Sequence, residues 1–186
     1  MTRPWTEVAA EDTEEGRLLL LQRGLDDFLI TVDGRVLMNS TANRTELALA
    51  ELACAALGTR PAPRMLIGGL GMGCTLRAAL DALPQDAFVQ VDELTPVVVD
   101  WCRGPLAELN ANALADARVE VKITDVSRSI RQAAEARGKG GKFDAIVLDL
   151  YQGPTEADAK RNAPFFSKAA VSRAFTALRP GGVFAV

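Results

Sequence analysis

The stretch RMLIGGLGMGCT, Arg64 to Thr75, decides the fold. A short β-rich run, Arg64 to Ile67, enters a glycine-rich turn, and a helical stretch over Cys74 to Leu83 leaves it. Glycines in such a turn let the chain bend tightly and let a ligand approach the backbone. The following helix N-terminus adds free N–H groups and a favourable dipole. A glycine-rich loop alone is a weak signal, but this one is answered roughly 20 residues later by an acid, Glu93, closing the next strand. Gly69, Gly71 and Gly73 are therefore the candidate ligand-contacting positions of the turn.

From there to the C-terminus the chain alternates β-rich runs with helical stretches, as a parallel sheet of right-handed βαβ units requires. Strands are expected at Arg64 to Ile67, Phe88 to Val91, Val119 to Ile123, Phe143 to Leu148 and Val183 to Val186. Helices are expected at Cys74 to Leu83, Pro96 to Leu109, Val126 to Ala136 and Ser167 to Leu178. AIVLDL, from Ala145, begins apolar on both faces and suits a central parallel strand. RGKGGK, from Arg137, reads as a flexible, solvated loop.

Upstream, RLLLLQRG, DDFLITV and RVLMNS from Gly16 to Ser40 are strand-like, and Asp33-Gly34 between the last two is a strong hairpin signal. Thr41 to Leu57 changes to helical period, with Leu47, Ala50, Cys54 and Leu57 on one stripe and Gly58 placed to end it. The expected organisation is a small β-hairpin region over residues 1–44 and a Rossmann-like nucleoside-binding domain over residues 45–186. The chain stops inside the strand after Pro180-Gly181-Gly182, which would leave an apolar edge. That predicts a domain truncated at its C-terminus.

Composition narrows the chemistry. A net charge of -3 and a pI near 5.1 lack the clustered Lys and Arg that a nucleic-acid surface needs. No apolar run approaches the ~20 residues of a membrane span, and Glu7 interrupts any signal-peptide core. A cytoplasmic protein is expected. Three cysteines, Cys54, Cys74 and Cys102, share no CxxC spacing, so structural burial is their default reading. With no histidine in the chain, histidine-paired nucleophiles and histidine-ligated metals are excluded. Acid–base work falls to carboxylates, Tyr or Lys.

The loop spacing is GxGxG without the later glycine of the dinucleotide fingerprint, which favours a mononucleoside. Glu93 is placed to accept from both ribose hydroxyls, and Asp125, closing the third strand, to accept from an adenine amino group. The competing reading is that Asp92, Glu93 and Asp125 begin loops or cap helices. Asp149, at the carboxyl end of the fourth strand, faces the ligand crevice of such a sheet, where it would orient a cationic amine or take its proton. Tyr151 would add an aromatic wall against the cation. The alternative is an Asp capping the loop and a Tyr filling a gap. Glu156 and Asp158 read as solvated surface.

Together VDGRVLMNS, GGLGMGCTLR, VDELTPVVVDWCR, DARVEVKITD, FDAIVLDLYQGP and ALRPGGVFAV resemble the spermidine synthase family of aminopropyltransferases, in its short bacterial spermidine-synthase-like branch. The resemblance spans nearly the whole chain and implies a class I methyltransferase-type parallel sheet with helices on both faces, preceded by a small antiparallel β unit. It implies S-adenosylmethionine or its decarboxylated form as the nucleoside, methylthioadenosine as product, an amine substrate, no metal and a homodimer. By resemblance Glu93 binds the ribose, Asp125 lies near the adenine, and Asp149 matches the acid that helps deprotonate the attacking amine. Three departures stand out. Leu70 and Met72 stand where family members carry an Asp for the aminopropyl amine, DLYQGP lacks the second Asp of a DSSDP-like segment, and a Tyr-His-Glu element is reduced to Thr45-Glu46. Each lost amine contact removes a charge-assisted hydrogen bond of about 1.5 to 3 kcal/mol. Two rivals to aminopropyl transfer follow: an S-adenosylmethionine-dependent methyltransferase, and a non-catalytic nucleoside-binding homologue.

Overall fold

The structure, a computed structural model, describes residues 3–13, 16–150 and 163–186. Its first element group is an antiparallel sheet of four strands in order β1 (Thr6–Thr13), β2 (Gly16–Arg23), β3 (Asp27–Val32) and β4 (Arg35–Asn39). Alternation sets its inner face: Leu18 pairs with Val32 and Leu20 with Ile30, and all four are buried. Asp33 and Gly34 both take positive φ, 47° and 76°, as a two-residue hairpin turn demands. Strand β1 enlarges the expected hairpin unit. Its sequence TEVAAEDT alternates no apolar face, because as an edge strand it is mostly exposed.

Helix α1 (Arg44–Leu57) follows, ended by Gly58 at φ 65° with its N–H donating to the Cys54 carbonyl. Its buried stripe is Ala50, Ala53 and Leu57; Leu47 and Cys54 lie at its margins, half-buried. The second sheet is wholly parallel, in order β7-β6-β5-β8-β9, built from β5 (Arg64–Gly68), β6 (Phe88–Glu93), β7 (Val119–Ile123), β8 (Phe143–Leu148) and β9 (Leu178–Ala185). Along β5, Met65 and Ile67 enter one core with α1, α2 (Cys74–Ala82), α3 (Pro96–Arg103) and the inner face of the N-terminal sheet. Leu66 points the other way, into a core with α4 (Val126–Glu135) and α5 (Lys168–Ala177). Burial on both faces is why these strands read as continuous apolar runs.

Two boundaries differ most from the sequence reading. Helix α3 stops at Arg103 rather than Leu109, because Gly104 donates to the Asp100 and Trp101 carbonyls and Pro105 follows. Strand β9 begins at Leu178, pairing with Phe143, and resumes after an irregularity with Val183 opposite Ala145. The loop expected to be flexible and solvated is exposed over residues 137–141 and contains a 3₁₀ turn at Lys139–Gly141. It is tied to its neighbours by Arg179 Nε donating to the Lys139 carbonyl at 3.0 Å and Lys142 Nζ to the Thr176 carbonyl at 2.7 Å.

At the amino ends of the strands a buried carboxylate pins three segments together. Asp144 accepts from Arg60 Nη1 at 3.2 Å on one oxygen, and from the Arg64 N–H at 2.8 Å and Arg179 Nη1 at 2.7 Å on the other. At the opposite end, β5 connects outward through β6 and β7 while β8 connects outward to β9. The chain direction therefore diverges between β5 and β8, and a crevice opens at the carboxyl ends of such strands. Among the described residues no helix is long and apolar enough to cross a membrane.

Candidate active site

The turn after β5 shapes the floor of a cleft of about 490 Å³. The Gly69 N–H donates to the Asp92 carbonyl at 2.9 Å, and the Gly73 N–H to the Leu70 carbonyl at 2.8 Å, so the loop folds back on itself before α2. Gly69 (φ 90°) presses against the Asp149 carbonyl, and Gly71 (φ 53°) against Met38, whose Cε would lie 2.5 Å from an added Cβ. Side chains are thus barred at both positions by conformation and by space. Met38 comes from β4, and its sulfur accepts from the Met72 N–H at 3.2 Å. Behind the loop, Cys102 Sγ donates to the Gly71 carbonyl, and burial pushes its thiol up to about 12.

Gly69 and Gly71 border the cleft, whereas Gly73 is turned toward Asn110 and packs there instead. Leu70 and Met72 do not face the cleft either. They are 2% and 1% exposed and belong to the core, because alternate residues of the turn point inward from a floor made of glycine. The side chain that covers the loop is Met38. Sequence reasoning missed it, since the contact joins β4 to a loop more than thirty residues on.

Four carboxylates border the cleft: Asp92, Glu93, Asp125 and Asp149; no Lys or Arg does so among the described residues. Glu93, closing β6, accepts from the Leu70 N–H on one oxygen and the Thr95 N–H on the other, both at 2.8 Å. It therefore fixes the glycine loop while standing in the cleft wall. Asp125 does two things as well: it caps α4, accepting from the Ser127 N–H at 2.8 Å, and borders the cleft. Both readings of that residue are compatible with its position.

Asp92, considered from sequence only as a loop or cap residue, is 2% exposed and also borders the cleft. One oxygen accepts from Gln90 Nε2 at 2.8 Å; the other is buried and has no hydrogen-bond partner among the described residues. Burial pushes its carboxyl above the usual range. Gln90 is held from behind by Lys122 Nζ on its carbonyl at 3.0 Å, which fixes the amide that faces Asp92. Adjacent acids at the end of a strand were the available signal; which of them stays unpartnered depends on the loop.

Asp149 sits just past β8, its N–H donating to the Gly68 carbonyl at 2.9 Å. Its Oδ2 accepts from Thr75 Oγ1 at 2.6 Å. Burial raises its pKa, the Thr75 hydrogen bond opposes that, and the charge of Glu46 on α1 raises it further. Tyr151 lies outside the described residues. Among those described there is no group of three or more His, Cys, Asp or Glu arranged to hold a metal ion.

Sheet order, glycine turn and acids at the strand ends define a Rossmann-like α/β protein with a cation-friendly crevice at its switch point. The model of the spermine/spermidine synthase domain matches residues 52–186. The chain belongs to the spermine/spermidine synthase family. It is 30% identical over 169 residues to the polyamine aminopropyltransferase of Mycobacterium tuberculosis, covering 91% of this chain and 30% of that protein. It is 35% identical over 92 residues to that of Saccharolobus solfataricus, covering 50% of this chain and 28% of that one. The fold matches spermidine synthase from Thermotoga maritima with a TM-score of 0.71 at 20% identity, covering 93% of this chain and 54% of that one. It matches a spermidine synthase in complex with the transition state analogue AdoDATO with a TM-score of 0.72 at 20% identity, over 96% and 55% of the two chains. The chain therefore spans about 30% of the length of the curated relatives and about half that of the solved ones.

Proposed function

We propose that the protein transfers an aminopropyl group from decarboxylated S-adenosylmethionine to an amine, leaving methylthioadenosine. The observation that carries this reading, beside family membership, is a cleft bordered by four carboxylates and, among the described residues, by no basic side chain. Such a site suits a sulfonium and an ammonium and repels the phosphates of a dinucleotide. The residues fit a nucleoside of this kind. The buried oxygen of Asp92 that has no partner among the described residues can take a ribose hydroxyl beside Glu93, the backbone at Gly69 and Gly71 reaches the cleft floor, and the cavity lies within the usual size range for small-molecule sites.

The sulfonium supplies a leaving group that needs no metal: the amine nitrogen bonds to the propyl carbon, the carbon–sulfur bond breaks, and its electron pair stays on sulfur. The protein's part is positioning and proton removal. Asp149 takes the proton that the attacking ammonium must lose. Its raised pKa brings it closer to neutrality than an ordinary carboxylate, and Thr75 orients the accepting oxygen. Leu70 and Met72, which stand where the family carries an Asp for the aminopropyl amine, lie in the core, so neither presents an apolar side chain to the donor. A homodimer belongs to the same reading, and sedimentation would register it.

The test is calorimetric titration of the full-length protein with decarboxylated S-adenosylmethionine, S-adenosylmethionine and methylthioadenosine, followed by a methylthioadenosine-release assay with amines. Tighter binding of the decarboxylated form and amine-dependent release are expected. Preference for S-adenosylmethionine would point to methyl transfer, binding without turnover to a non-catalytic homologue, and binding of none would sink the nucleoside reading.

A further inference from the structure

Leu18, Ile30, Leu37 and Met38 reach the cleft from the N-terminal sheet and roof it. Met38 also engages the backbone of the floor: it lies over Gly71, and its sulfur accepts from the Met72 N–H at 3.2 Å. From this contact we infer that Met38 is a specificity-determining residue for the donor. By holding the Met72 N–H it denies that amide to a donor carrying a carboxylate, and so favours the decarboxylated form. This inference rests on the aminopropyl-transfer reading and deepens it.

The sheet order brings the donor's chain to this turn. Asp92 and Glu93 close β6, Asp125 follows β7 and Asp149 follows β8, while β5 lies between β6 and β8. A nucleoside at the first three acids whose reacting carbon reaches Asp149 therefore crosses the turn after β5, over Gly69 and Gly71. Backbone N–H groups in such turns are ready anion sites. Four of them are engaged here. Gly69 donates to the Asp92 carbonyl, Gly73 to the Leu70 carbonyl, Leu70 to the Glu93 carboxylate and Met72 to the Met38 sulfur. A thioether is the weakest acceptor of the four, so the Met72 N–H is the one a carboxylate would claim once Met38 is gone. While Met38 is in place, that carboxylate has to push it off Gly71 and out of its packing against the core. A decarboxylated chain makes no such demand on the turn.

The experiment titrates decarboxylated S-adenosylmethionine, S-adenosylmethionine and methylthioadenosine into the full-length protein and into Met38→Ala and Met38→Leu, with thermal melts as folding controls. The readout is the ratio of the two sulfonium affinities, which a general loosening of the cleft would leave unchanged. In Met38→Ala, which frees both the amide and the space over Gly71, S-adenosylmethionine should gain on the decarboxylated form by about tenfold. Met38→Leu removes the acceptor and keeps the bulk, and should narrow the ratio by about threefold. If Met38→Ala does not fold, Met38→Leu decides. An unchanged ratio in a folded variant that still binds methylthioadenosine overturns this inference and leaves aminopropyl transfer standing. Preference of the unsubstituted protein for S-adenosylmethionine overturns the aminopropyl-transfer reading, and a failure of methylthioadenosine to bind it overturns the nucleoside reading; either takes this inference with it.

Discussion

Asp144 and Asp149 stand at the two ends of β8, and their surroundings are opposite. Asp144 accepts from two arginines and a backbone N–H, so both of its oxygens are matched by donors. Asp149 has its carboxylate held by the Thr75 hydroxyl, with Glu46 repelling it from nearby. A saturated buried carboxylate ties segments together; one short of donors stays poised to exchange a proton. One strand thus carries an anchor at its amino end and the proposed base at its carboxyl end, and the difference lies in the partners, since the residue type is the same.

The sharpest way to break this contrast is Asp149→Asn. Aminopropyl transfer should fall by about 10²–10⁴-fold, while the thermal midpoint holds or rises, because the amide carries no buried charge. The sign follows from linkage. The folded-state pKa lies above the unfolded one, so the folded protein binds the proton more tightly and loses stability as pH rises through that interval. Melts taken upward from the ordinary value of 3.8 should show that slope reduced in the variant, and the transfer rate of the parent protein should climb as Asp149 ionises.

Asp144→Ala is the mirror experiment. It should cost about 3 kcal/mol in denaturant unfolding by leaving Arg60 and Arg179 without their carboxylate. The folded fraction should keep its nucleoside affinity, since this cluster lies at the far end of the strands. A loss of nucleoside binding at matched folding would undo the division between the two ends.

Gly71→Ala tests the floor against the roof. Its positive φ and the Met38 contact should together cost about 1–3 kcal/mol, read by thermal melt. Combining it with Met38→Ala should recover the part due to crowding, and the residue left in the double-mutant cycle measures the strain of the turn. The smallest effect is expected at Asp116, which the Arg118 guanidinium holds down to about 2. That stabilisation is fully present above the ordinary value of 3.8 and is lost as pH falls through about 2. Asp116→Asn should therefore lower the midpoint by on the order of 2 °C at neutral pH, and the difference should close in strong acid.

What was legible in the sequence was what local periodicity controls. The apolar run of β8, the Asp-Gly hairpin and the strand–glycine turn–helix unit all announce themselves within a few residues. Strand β1 does not, because an exposed edge carries no alternating signal, and the early start of β9 is hidden by Pro180-Gly181. In the cleft, residues at strand ends could be ranked by topology, which singled out Glu93, Asp125 and Asp149. Hydrogen bonding then redistributed them: Glu93 holds the loop, Asp125 caps a helix, and Asp92 keeps an oxygen without a partner among the described residues. The positions of Leu70, Met72 and Met38 follow from packing between distant segments, which no local pattern encodes.

The cleft's roof and floor belong to two sheets that share no ladder of hydrogen bonds. Substitutions at Leu18, Ile30, Leu37 and Met38 can therefore recut one wall of the cleft while the strand pairing that sets out Asp92, Glu93, Asp125 and Asp149 stays as it is, which makes the small N-terminal sheet an interchangeable die on a fixed press.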